Sequence, residues 1–121
     1  MNISDTLSHR MAKHLDLGIQ GEEIAAKYLL SLGYSVRERN VRFQKLELDI
    51  IAFDPTEKMM VFVEVKTRRS HSSAYPIHTA ITRHKRSCLR RAIAAWSIRH
   101  SYEGPGRIDA VSVSGGRIVE H

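Results

Sequence analysis

Four residues of this 121-residue chain have types and spacing suited to phosphodiester hydrolysis: Glu22, Asp49, Glu64 and Lys66. Glu64 and Lys66 alternate within Val61-Phe62-Val63-Glu64-Val65-Lys66-Thr67, a β-branched run that reads as a strand. Period-two geometry puts both on one face, about 6–7 Å apart. Asp49 lies in a second strand candidate, and both runs are otherwise apolar. Charges in such strands are costly unless paired or bound to a cation. Asp49 and Glu64, with the Val65 carbonyl, make an oxygen-rich set of the kind Mg²⁺ or Mn²⁺ accepts. Such a cation stabilises charge on a phosphodiester and lowers the pKa of a bound water. Lys66 would orient or help deprotonate that water, or neutralise the pentacovalent phosphate. Glu22 would complete the site through a water. A Glu-x-Lys pair on a strand is by itself better explained as a surface ion pair. The inward Glu22 and the mid-strand Asp49 set this one apart.

These residues need elements to position them. Leu15 to Leu32 reads as a helix, with Ala25, Tyr28, Leu29 and Leu32 on one stripe and Gly33 as its stop. Glu22 falls on that stripe, with Glu23 turned about 100° away. Gly18 and Gly21 sit where a neighbouring backbone could come close. Residues 1–14 are expected to form a disordered N-terminal segment. Strands are expected at Tyr34–Asn40, Leu46–Phe53 and Met59–Thr67, the last two as an antiparallel hairpin. Leu46, Leu48 and Ile50 would share one face, and Glu47, Asp49 and Ile51 the other. A polar loop follows at Ser70–Pro76. A second helix, His78–His100, carries the inner stripe Ile81, Lys85, Cys88, Leu89, Ala92, Ile93 and Trp96. Strands at Arg107–Val113 and Arg117–Val119 are joined by Gly115-Gly116. The whole reads as one α/β domain, a central mixed sheet flanked by helices.

Hydrophobic residues make up 42% of the chain and charged residues 26%, which places it among globular proteins. The net charge of +6 is unevenly spread. From Lys66 to Arg117 there are 11 Lys or Arg against two acids, whereas Met1 to Val65 holds eight basic and ten acidic residues. Such asymmetry points to a polyanion, with nucleic acid first. Arg68, Arg69, Lys85 and Arg86, with Arg83, Arg90 and Arg91, are candidate phosphate contacts. Tyr75 and Tyr102 are isolated, so no stacking platform for single strands is evident. No apolar run approaches the ~18 residues of a membrane span, and the N-terminus has no signal-peptide core. A cytoplasmic protein without a membrane partner is expected. The single cysteine, Cys88, excludes a multi-cysteine zinc site. Arg107 and Asp109 read as a structural ion pair, and Trp96 as a core residue.

Gly18-Ile19-Gln20-Gly21-Glu22-Glu23-Ile24-Ala25, Tyr28-Leu29, Gly33-Tyr34, Asn40, Leu46-Glu47-Leu48-Asp49-Ile50-Ile51, Val61-Phe62-Val63-Glu64-Val65-Lys66-Thr67-Arg68, Lys85 and Arg107-Ile108-Asp109 together resemble the YraN-like proteins of bacteria. These are similar to the PD-(D/E)XK nuclease superfamily and, within it, to archaeal Holliday-junction resolvases. The resemblance runs from about Gly18 to Val113 and implies a restriction-endonuclease-like fold. It also implies an endonuclease that cuts DNA, including branched DNA, with Mg²⁺ or Mn²⁺. By resemblance Asp49 and Glu64 are the metal carboxylates, Lys66 the catalytic lysine and Glu22 the helix carboxylate. Glu47 matches the family's Glu-x-Asp pair. Leu46 stands where the family usually has Gly, and Leu48 where the superfamily has its proline. A homodimer is expected for symmetric cutting of two strands. The alternative is a nucleic-acid-binding module on the same fold that does not cut.

Overall fold

A computed structural model describes residues 3–69, 76 and 81–121, with side chains from residue 17 onward. The expected loop 70–76 lies outside these apart from Pro76, as do residues 78–80 of the expected second helix.

Helix α1 spans Ile3–Ser31. It begins twelve residues before the expected Leu15, so it takes in residues 3–14 of the segment expected to be disordered. Ala25, Ala26 and Leu29 are its buried stripe. Leu32, expected on that stripe, lies past the helix end and is 47% exposed. Gly33 ends the helix with a φ of +89°, the left-handed conformation that glycine adopts without penalty. Strands β1 (Ser35–Phe43), β2 (Leu46–Asp54) and β3 (Met59–Arg68) follow as a meander. Helix α2 (Arg83–Arg99) crosses over to β4 (Gly106–Ser114), which turns into β5 (Arg117–Glu120). The α2 start falls at Arg83 rather than His78 because Thr82 is its N-cap, the hydroxyl accepting from the Lys85 amide at 3.1 Å.

The five strands lie in chain order in one mixed sheet, antiparallel except for the β3–β4 pair. This is an α/β fold consistent with a restriction-endonuclease-like domain. Each face carries one helix. Ala25 and Leu29 of α1 pack on Ile50, Ala52, Val61, Val63, Val111 and Val113. Leu89, Ala92 and Trp96 of α2 pack on Val41, Leu48, Ile51, Met60 and Phe62. The β3 alternation therefore holds as expected. In β2 it holds for Ile50 and Ile51 but slips toward the strand start, where Leu46 and Leu48 join the α2-side cluster instead of the α1 side. The slip falls opposite Asn40, whose φ of +53° breaks the pleat of β1.

Candidate metal centre

The site forms where two strands part. The β2–β3 ladder runs from Asp54↔Met59 to Ile50↔Val63. Beyond that pair β2 stays with β1 as far as Leu46, and β3 stays with β4 as far as Arg68. A fork opens, with Asp49 and Glu64 at its base. The Asp49 side chain bridges it: the Val65 amide donates to Asp49 Oδ2 at 2.9 Å. A carboxylate thereby satisfies a backbone donor that has lost its strand partner.

Helix α1 closes the fork on one side. A Cβ on Gly21 would overlap Thr67 Oγ1, so only glycine allows this approach to β3. Gly18 has open space around it and does not share that role. The close crossing at Gly21 brings Glu22 inward, and carboxylate oxygens of Glu22, Glu47 and Asp49 lie within 4.8 Å of one another. Asn40 hydrogen-bonds Glu22 from the facing strand. Glu23, turned away as expected, pairs with Arg39 at 2.8 Å.

Helix α2 closes the other side. Lys85 Nζ lies 3.2 Å from Glu64 Oε1. The second oxygen, Glu64 Oε2, is buried without a hydrogen-bond partner among the described residues. The Glu64 side chain is only 15% exposed. Burial, reinforced by the charge of Asp49, pushes the Glu64 carboxyl up to about 7. Burial also raises Asp49, partly offset by the Val65 amide, with Glu47 adding to the rise. Glu22 is raised by burial and then by Asp49. For Lys85, burial acts downward, but Glu64 and Asp49 outweigh it and hold the ammonium above its usual range.

Glu22, Glu47 and Asp49, crowded together, have the chemistry of a donor set for a hard cation. A divalent ion would add positive charge where Glu22, Glu47 and Asp49 crowd together. Of the two ligands expected from the sequence, Asp49 is among these three and Glu64 is not.

Of the sequence candidates, the structure brings Glu22, Asp49 and Glu64 to this fork. Lys66 is exposed, and among the described residues it makes no ion pair. The amine on Glu64 belongs to Lys85, which sequence reasoning placed among the phosphate contacts. Arg69 and Arg86 are exposed and Arg68 half-buried. Leu46 packs on the α2-side cluster and does not separate Glu47 and Asp49 from Glu22. Glu47 entered only through the resemblance, and Asn40 had no assigned role. Its signal was an asparagine, a residue tolerant of positive φ, within a strand candidate.

Away from the fork, Arg107 pairs with Asp109 at 2.9 Å, as expected, and also with the buried Asp54 at 2.9 Å. Trp96 is buried and donates to Glu38 Oε1 at 3.0 Å. Cys88 Sγ lies 3.6 Å from His84 Nε2.

Fold and site define a small α/β sheet domain with an acidic cluster at a strand fork. Residues 21–113 match the uncharacterised protein family UPF0102. The chain is 41% identical over 109 residues to a UPF0102 protein of Pelobacter propionicus, covering 86% of this chain and 77% of that one. It is 36% identical over 110 residues to one of Chlorobium phaeobacteroides, covering 87% and 86%. With one of Clavibacter michiganensis it shares 41% identity over 104 residues, covering 85% and 86%. The chain belongs to the UPF0102 family. No described helix is long and apolar enough to cross a membrane.

Proposed function

We propose that this protein is a divalent-cation-dependent nuclease that hydrolyses DNA phosphodiester bonds, with branched or otherwise structured DNA as its substrate. The observation that carries this reading is the strand fork, where Glu22, Glu47 and Asp49 converge within 4.8 Å beside the buried, half-satisfied Glu64. A merely structural role would pair these acids with cations. Among the described residues, the ion pairs made by these acids are Lys85–Glu64 at 3.2 Å and Arg42–Glu47 at 3.9 Å.

Asp49 and Glu64, with Glu47, would hold Mg²⁺ or Mn²⁺, and Glu22 would act through a water. When bound, that ion supplies charge stabilisation at the scissile phosphate and lowers the pKa of a nucleophilic water. The chain's own groups do the rest. The Val65 amide fixes Asp49 against rotation. Lys85, 41% exposed, can leave Glu64 for a phosphate oxygen and neutralise charge developing there. The raised carboxyl of Glu22 offers a base for the water proton, within reach of Asp49. Helix α2 carries six Lys or Arg and no acid, a surface suited to a polyanion. Each chain holds one such cluster, so cutting two strands symmetrically would use a homodimer.

The exposure of Lys66 favours a second reading, a module that binds nucleic acid without cutting it. That reading predicts salt-sensitive binding with no turnover.

Incubating wild type and Asp49→Ala with branched, duplex and single-stranded DNA, plus Mg²⁺ or Mn²⁺, separates the two. Metal-dependent cleavage that the substitution reduces by about 10²-fold or more supports the nuclease. Equal, chelator-insensitive activity in both proteins overturns it.

A further inference from the structure

A groove of about 470 Å³ separates the β1–β2 turn from α2. Arg91, Ala95 and Arg99 line its helical wall at i, i+4 and i+8, one stripe of the helix surface. Arg42 and Phe43 line the opposite wall. The Arg99 guanidinium sits 4.3 Å over the Phe43 ring, which holds it in place without neutralising it. Arg91 is exposed, and among the described residues it makes no ion pair. The Arg42 side chain is 75% exposed, and its Nη2 lies 3.9 Å from Glu47 Oε2.

Arg91 and Arg99 thus present two guanidinium groups to one open channel, and Arg42, which pairs with Glu47, stands at its edge. Like charges gathered this way cost stability, so the arrangement calls for an anion. The channel is open rather than enclosed, which suits an extended polyanion better than a small one. Ala95, between the two arginines on the helical wall, carries a side chain too short to block a strand. Glu47 belongs to both features: it is one of the clustered acids and the partner of Arg42. Arg42 therefore links the edge of the groove to the acidic cluster.

We infer that this groove binds a nucleic-acid strand through its phosphates, on Arg42, Arg91 and Arg99, and delivers it to the acidic cluster from the β1–β2 turn side. The inference rests on the nuclease reading for its direction, but its test does not use cleavage.

The test is fluorescence anisotropy with labelled single-stranded and duplex DNA in EDTA over a salt series. It compares wild type, the triple variant Arg42→Gln/Arg91→Gln/Arg99→Gln, Ala95→Glu, and Arg117→Gln as a control on β5. The triple variant is expected to bind about tenfold or more weaker, with a salt slope reduced by about 2–3. Ala95→Glu, which changes no arginine, should weaken binding in the same direction. Arg117→Gln should match wild type. Triple and Ala95→Glu variants that stay folded by circular dichroism and bind with wild-type affinity and slope overturn the groove and leave the metal centre standing. A wild-type protein that binds neither DNA overturns both.

Discussion

Lys85 Nζ reaches Glu64 Oε1 at 3.2 Å from helix α2, while Lys66, two residues along β3 from Glu64, faces solvent. The chain thus offers two amines to one carboxylate, and the fold presents the one that is distant in sequence. If the ammonium at the fork neutralises charge on a phosphate, it is that of Lys85. Lys85→Gln is expected to lower kcat for DNA cleavage by about 10²-fold, and Lys66→Gln by less than about tenfold. Single-turnover rates at saturating Mg²⁺ check this. The reverse order would return the role to Lys66 and require β3 to rotate when substrate binds.

Glu64 gives a pH dependence with a definite sign. Burial and the neighbouring Asp49 raise its carboxyl from 4.5 to about 7 in the folded protein. Between those values the folded state binds more protons than the unfolded one, so stability falls as pH rises through that window. Glu64→Gln removes the titration. In EDTA the variant should match wild type near pH 4.5 and exceed it by about 1 kcal/mol at pH 8, a figure reduced for solvent at the mouth of the fork. Urea unfolding at the two pH values measures it. A variant less stable than wild type at pH 8 would mean that the Lys85 pair dominates. Adding Mg²⁺ at pH 8 should stabilise wild type and do little for the variant.

Much of this architecture is legible from local pattern. The 3.6 period of α1 turns Glu22 inward and Glu23 outward, and alternation along β3 separates Val61 and Val63 from Phe62. Both follow from single-element geometry. The fork is not of that kind, because it depends on β2 staying with β1 while β3 stays with β4, a choice between partners that neither strand encodes alone. Lys85 and Glu64, and likewise Arg99 and Phe43, are remote in the chain and meet only through the crossing of α2 over the sheet. That crossing also supplies the aromatic neighbour for a basic residue that Tyr75 and Tyr102 did not suggest. The earlier start of α1 is a further case: residues 3–14 carry little apolar periodicity of their own, and the helix simply continues.

The α1–β3 crossing is tight at one point, and a substitution there should act on the site without touching it. A methyl group on Gly21 overlaps Thr67 Oγ1, a short side chain that cannot swing far. Gly21→Ala therefore pushes α1 off β3, against the favourable helix propensity of alanine. The expected net cost is about 1–3 kcal/mol, with weaker Mn²⁺ binding because Glu22 moves with the helix. Gly18→Ala, with open space around it, should be neutral or slightly stabilising. Thermal melts of both variants, with Mn²⁺ titration of Gly21→Ala, test the pair. Equal effects at the two glycines would mean that the crossing does not position Glu22.

Asn40 couples backbone shape to site chemistry, and two substitutions separate them. Its φ of +53° falls opposite Asp49 in the β1–β2 register, and its side chain hydrogen-bonds Glu22, lowering a carboxyl that burial and Asp49 raise. Asn40→Gly keeps the left-handed backbone and loses the amide. It should leave the fold nearly as stable as wild type, since glycine takes this conformation freely, while Glu22 titrates at higher pH. Asn40→Val loses both. A β-branched residue resists positive φ, so this variant should cost about 1–3 kcal/mol beyond the glycine variant. It should also tend to restore the β1 pleat and draw Leu46 and Leu48 toward the α1 side. Carboxyl NMR titration of Glu22 together with urea unfolding resolves the two effects. If the valine variant proves as stable as the glycine one, then the left-handed residue is not what turns the start of β2 and sets Glu47 and Asp49 toward Glu22.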